Sequence, residues 1–274
     1  MKPSIAILFF IVSSYGCKHQ NTNSSYVLRM KGSESMFETF SELKNAFEKR
    51  QDSVKITLEG GGSRTGLMAI KNGEAEIGLS SFAFDLTETL GSDHNILEEI
   101  VAYDAIVLIT NKSNPIDSLS YQNVSDIYTG AIYDWNQLGG NTGLIAPIIR
   151  DENSGTQRFF TEYFNINQIA RTAEISEDNA QIVSKVNGNI NGVGFIGFAY
   201  FTESVNNLKL PVDSIAPTFV APTHRNLEND KYPLKRGLRI YYQRSENPAI
   251  EAFLNFLTTD EAHSIIESYG LIAI

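Results

Sequence analysis

Three short stretches of this chain carry hydrogen-bond donors at spacings that suit a tetrahedral anion. They are Gly32-Ser33-Glu34-Ser35, Gly60-Gly61-Gly62-Ser63-Arg64-Thr65-Gly66 and Arg150-Asp151-Glu152-Asn153-Ser154-Gly155-Thr156. Each follows a strand-like run and opens a helix-like one. A helix start offers unpaired N–H groups and a partial positive charge. Glycine lets a ligand approach the backbone, and Ser or Thr adds a hydroxyl, so such an end receives an anion readily. One such loop alone is better explained by an ordinary Ser or Thr cap. Three in one chain, one of them led by an arginine, point to a shared anion.

Other chemistries find no support. Gly60–Gly66 lacks the Gly-Lys-Ser/Thr ending of a nucleotide-binding loop. No Gly-x-Ser-x-Gly elbow and no carboxylate–histidine cluster for a hydrolytic metal occurs. The four histidines, His19, His94, His224 and His263, are scattered and Cys17 is the single cysteine, so no zinc or transition-metal site, no cofactor and no intrachain disulfide is expected. Donors without a nucleophile, a base or a metal describe a binder rather than an enzyme. The formal net charge of −10 disfavours nucleic acid, whose phosphates need many Lys and Arg side chains. It leaves room for a small anion, because a buried arginine outweighs the global field at short range.

The elements that must position these loops alternate. Strands are predicted at Tyr26–Met30, Val54–Leu58, Ala75–Leu79, Leu144–Ile149 and Leu234–Tyr242, and a buried central strand at Ile100–Thr110. Apolar residues at Met36, Phe40, Leu43 and Phe47 predict a helix over Ser35–Arg50. Further helical stretches are predicted at Leu67–Lys71, Val124–Tyr128, Ser154–Tyr163 and Ala249–Tyr269, and a Gly-rich strand pair at Gly192–Phe201. This order argues for an α/β protein with largely parallel sheets. At the N-terminus, Lys2 followed by the apolar run Ile5–Val12 reads as a secretory leader over residues 1–16. Ser14-Tyr15-Gly16-Cys17 resembles a lipoprotein cleavage box, so Cys17 is the expected lipidation site. Residues 17–25 then form a lipidated cysteine and polar tether.

Taken in order, the motifs resemble the phosphate-binding protein of bacterial ABC transporters, a PstS-like family of periplasmic binding proteins. Gly32-Ser33-Glu34-Ser35-Met36 resembles its first phosphate loop. Gly60–Gly66 with Ala75–Ser81 resembles the second, and the Arg150–Phe160 stretch the third. Val124–Gly140, which holds the only tryptophan, Trp135, resembles another family signature; Trp135 is read as packing under a loop. The resemblance implies a two-lobed type II periplasmic-binding-protein fold with two hinge crossover strands. One lobe comprises residues 26–108 plus 232–274 and the other 109–231. It implies N–H donation near Ser35 and Met36, a hydroxyl from Ser33 or Ser35, and donors from Ser63, Ser154, Gly155 and Thr156. Arg150 pairs with the anion, held by Glu152 or, failing that, Asp151.

Two positions depart from the family pattern. Ser81 stands where many relatives have an acidic acceptor, so Glu34, with Asp85 as fallback, is the expected acceptor for a phosphate proton. Arg64 stands where glycine is common and belongs either to the pocket or to the surface. The implied partners are inorganic phosphate and the membrane permease subunits of an ABC transporter. The chain is expected to be a monomer, outside the cytoplasm, touching the membrane through its lipid alone. The rival readings are a receptor or sensor for another oxyanion, such as sulfate or molybdate, and a phosphohydrolase.

Overall fold

The computed structural model describes residues 26–212 and 218–274. The expected leader, Cys17 and the tether lie outside the described residues. The strands are β1 (Tyr26–Gly32), β2 (Val54–Glu59), β3 (Ile77–Ser80), β4 (Ile96–Asn111), β5 (Ala146–Arg150), β6 (Glu174–Ser176), β7 (Gly192–Gly197), β8 (Val205–Asn207), β9 (Leu210–Pro211), β10 (Phe219–Val220), β11 (Lys235–Gln243) and β12 (Ile272–Ala273). The helices are α1 (Phe37–Arg50), α2 (Ser63–Lys71), α3 (Leu86–Leu90), α4 (Tyr121–Thr129), α5 (Gly155–Tyr163), α6 (Asn179–Gly188), α7 (His224–Glu228), α8 (Pro248–Leu257) and α9 (Asp260–Ser268).

Main-chain pairing links β2-β1-β3-β11-β4-β7-β5-β6 in that order, with β8 and β12 also on β4. The expected parallel arrangement is only half of this. β1 runs parallel to β2 and β3, and β5 runs parallel to β6 and β7. Between these trios, β4 and β11 run antiparallel to each other and to their outer neighbours. The reason lies in β4, whose 16 residues extend about 50 Å at about 3.3 Å per residue. Its first part pairs with β11 and its second with β7, so one strand serves both halves of the molecule.

Packing divides at the same place. Ala102 and Leu238 belong to a core under β1, α1 and α8. Ala105, Ile106 and Leu234 belong to a second core around Tyr128, Phe160 and Phe195. The fold is therefore α/β with two lobes, crossed by β4 and by the start of β11. Two further expectations are corrected. Gly192–Phe201 is one strand, β7, followed by a 3-10 turn at Phe198–Tyr200, because the Phe198 N–H leaves the ladder to bond Asp104 Oδ1 at 3.0 Å. The predicted C-terminal helix is two, α8 and α9, divided where Thr259 Oγ1 accepts the Ala262 N–H and starts a new helix.

Candidate functional site

The three donor loops meet where the lobes face each other. The first closes on a 3-10 turn, Glu34–Met36, after β1. The second runs from β2 into α2, and the third from β5 into α5. Gly62 has φ 92°, and a Cβ there would lie 2.5 Å from the Asn153 carbonyl oxygen, so only glycine lets the second and third loops approach this closely. Arg64 N–H completes the contact by donating to that oxygen at 3.3 Å.

The hydroxyls separate into caps and free groups. Ser154 Oγ accepts the Gln157 N–H and caps α5. Ser33 makes no side-chain cap, and Ser63 sits inside the first turn of α2 after the uncapped Gly62. Instead Ser33 Oγ donates to Ser81 Oγ at 2.9 Å, which lies 3.3 Å from Ser63 Oγ. On the other side Ser35 Oγ is 2.7 Å from Thr156 Oγ1. Ser33, Ser35, Ser63, Ser81, Ser154 and Thr156 are all buried. So many buried hydroxyls are unfavourable unless hydrogen-bonded, and here they bond largely to one another. Ser176 Oγ, buried beside Arg150, has no hydrogen-bond partner.

Arg150, at the end of β5, is 3% exposed. Its Nε donates to the Ser176 carbonyl at 3.2 Å. The carboxylate within salt-bridge range among the described residues is Asp151, 3.6 Å from Nη2. Burial pulls the guanidinium below its ordinary range, and the charges of Asp151, Glu34 and Asp178 oppose this only in part. A buried cation without a hydrogen-bonded counter-ion is expensive, and its fork suits an oxyanion.

A second buried arginine was not legible from the loops. Arg236 on β11 pairs in register with Asp104 on β4, at the point where both strands cross between lobes. Asp104 Oδ2 accepts Arg236 Nη2 at 2.7 Å and Nε at 3.1 Å, while Arg236 Nη1 donates to Thr156 Oγ1 at 3.0 Å. Asn179, which opens α6, donates to Ser35 Oγ at 3.4 Å. The available signal was the lone aspartate inside the apolar run of β4, because a charge there needs a partner. Among the described residues the buried charged side chains are Asp104, Arg150 and Arg236, leaving one net positive charge inside an acidic chain.

Several expected members stand elsewhere. Arg64 is exposed and adds only its backbone N–H to the loop contact. Glu152 is exposed, and Asp151 is the acid beside Arg150. The Met36 N–H is taken by the Ser33 carbonyl at 3.1 Å. Glu34 Oε1 accepts the Gly61 N–H at 2.6 Å and so ties the first loop to the second. Asp85 is exposed and caps α3 through the Glu88 N–H. Trp135 is buried and donates to the Asn191 carbonyl at 3.1 Å, a packing role. Among the described residues there is no group of three or more metal-ligating side chains.

A two-lobed α/β fold with a donor-lined seam defines the class of periplasmic binding proteins. The sequence profile of the PBP superfamily domain matches residues 18–261, and the chain belongs to that family. It is 27% identical over 286 aligned residues, all of this chain and 99% of the relative, to a phosphate-binding protein PstS of Borreliella burgdorferi. Among solved structures, a putative phosphate ABC transporter substrate-binding protein of Clostridium perfringens with bound phosphate is 30% identical, with a TM-score of 0.81 over 90% of this chain and 99% of that one. A phosphate transport receptor of Vibrio cholerae is 25% identical, with a TM-score of 0.73 over 90% of this chain and 100% of its own.

Proposed function

We propose that the chain is an extracytoplasmic receptor that captures inorganic phosphate between its lobes and delivers it to the permease of an ABC transporter, doing no chemistry on it. The observation that carries this reading is Arg150, buried yet without a hydrogen-bonded carboxylate, at the end of the strand whose loop brings Thr156 to the buried Ser35 hydroxyl. The names of its relatives point the same way. Ser33, Ser35, Ser63, Ser81, Arg150, Ser154, Gly155 and Thr156 are the proposed ligand set, with Asp151 and the Ser176 carbonyl holding Arg150. The bodies that close divide within β4 between Ala102 and Ala105, and at the start of β11 between Leu234 and Leu238, rather than at residues 108 and 232, about the hinge made by these two strands. The chain acts as a monomer, and Cys17 carries the lipid that keeps it at the membrane.

Sulfate is the competing ligand, because the buried carboxylate Asp104 is already engaged by Arg236 and Phe198. Calorimetric titration of the purified chain with phosphate, sulfate and molybdate tests the reading. Tight binding of phosphate alone supports it. Equal binding of sulfate replaces phosphate specificity with general oxyanion binding, and no binding of any of the three removes the receptor role.

A further inference from the structure

The protons of the Ser35–Thr156 corner can be counted. A guanidinium has no acceptor, so in the 3.0 Å contact with Arg236 Nη1 the Thr156 hydroxyl accepts. Asn179 Oδ1 accepts the Gly197 N–H at 3.3 Å, which turns its NH2 toward Ser35 Oγ at 3.4 Å, so the Ser35 hydroxyl accepts as well. The two oxygens are 2.7 Å apart. One hydroxyl proton lies between them, and the second has no acceptor in this corner. A buried donor left unmatched costs about 1–3 kcal/mol. A bare anion oxygen removes that cost. A protonated ligand oxygen would bring another donor to a corner already rich in them.

We infer that Arg236, held by Asp104, is a positioning residue that turns the Thr156–Ser35 hydroxyl pair to donate its one free proton to an unprotonated oxygen of the bound anion; this rests on the oxyanion-receptor reading above. The geometry explains why an ion pair stands here. Asp104 Oδ2 takes Nε and Nη2, and Oδ1 takes the Phe198 N–H, which fixes the guanidinium plane and leaves Nη1 to face Thr156 and, at 3.4 Å, the Ser81 carbonyl. Thr156 belongs to α5, while Arg236 and Asp104 lie at the strand crossing. The polarity of the corner is thus set from the strand crossing.

If the pair only ties β4 to β11, the effect of changing Arg236 on ligand affinity would not depend on Thr156, so a double-mutant cycle separates the two roles. Phosphate affinity is measured by calorimetry for the parent, Arg236→Lys, Thr156→Val and the double variant, with the melting temperature of each ligand-free form. Lysine keeps the charge beside Asp104 but cannot hold the fork that reaches both Asp104 and Thr156. The expected result is about tenfold weaker binding for Arg236→Lys in the parent, and little further loss once Thr156 is valine. Equal losses in both backgrounds, or no loss at all, overturn the inference while leaving the receptor reading intact. A parent that binds neither phosphate nor sulfate overturns both. If Arg236→Lys fails to fold, Arg236→Gln combined with Asp104→Asn, which leaves no buried charge at the pair, carries the same comparison.

Discussion

Replacing Arg150 by methionine separates a binding role from a structural one by the sign of two effects. The side chain is 3% exposed and holds one hydrogen bond, from Nε to the Ser176 carbonyl, with Asp151 at 3.6 Å. Burial already disfavours its charge. Removing the charge therefore relieves a desolvation penalty, and methionine fills most of the volume. The ligand-free protein should melt at the parent temperature or above it. Binding should move the other way. A charge-assisted hydrogen bond to the anion contributes about 1.5–3 kcal/mol, and loss of one weakens affinity by about tenfold to more than a hundredfold. At phosphate one hundred times its dissociation constant, ligand stabilises the parent by about 2.7 kcal/mol. A variant bound a hundredfold more weakly keeps about 0.4 kcal/mol at the same concentration. At about 2–4 °C per kcal/mol, the phosphate-induced rise in melting temperature falls from about 5–11 °C to about 1–2 °C. Thermal melts with and without phosphate measure both quantities on one sample. A variant that melts well below the parent but keeps the full phosphate shift would refute the reasoning, because Arg150 would then be a structural cation.

Gly155→Ala places a Cβ 2.1 Å from Ser63 Oγ and 2.8 Å from Ser81 Oγ, so it should block the approach of α5 to α2. Calorimetry should show phosphate affinity lost while the ligand-free melt stays near the parent's. Glu34→Gln weakens the bond that holds the Gly61 N–H. It should lower stability by about 1 kcal/mol in urea denaturation, and an altered phosphate-over-sulfate ratio in competition titration would return Glu34 to the role of proton acceptor. Cys17→Ser should release the protein from membranes on fractionation, and mass spectrometry showing an unmodified mature N-terminus elsewhere would end the anchor proposal.

Local devices are set by short stretches of the chain. Glycine, serine and threonine at a strand-to-helix junction act through backbone conformation and helix-end donors, which need only a few neighbouring residues. The three loops, the helix faces and the long apolar run of β4 were legible for that reason. The runs Gly192–Phe201 and Ala249–Tyr269 break where a distant carboxylate or a new cap competes with local pattern. Tertiary structure alone decided which hydroxyls are caps, that Glu34 and Asp85 bind backbone N–H groups, and that Arg64 faces water. It also decided that Asp104 and Arg236, 132 residues apart, stand side by side at the lobe crossing. A buried charge is stable only with a partner, and which partner it meets is set by strand register, a property of the assembled sheet rather than of any stretch of chain.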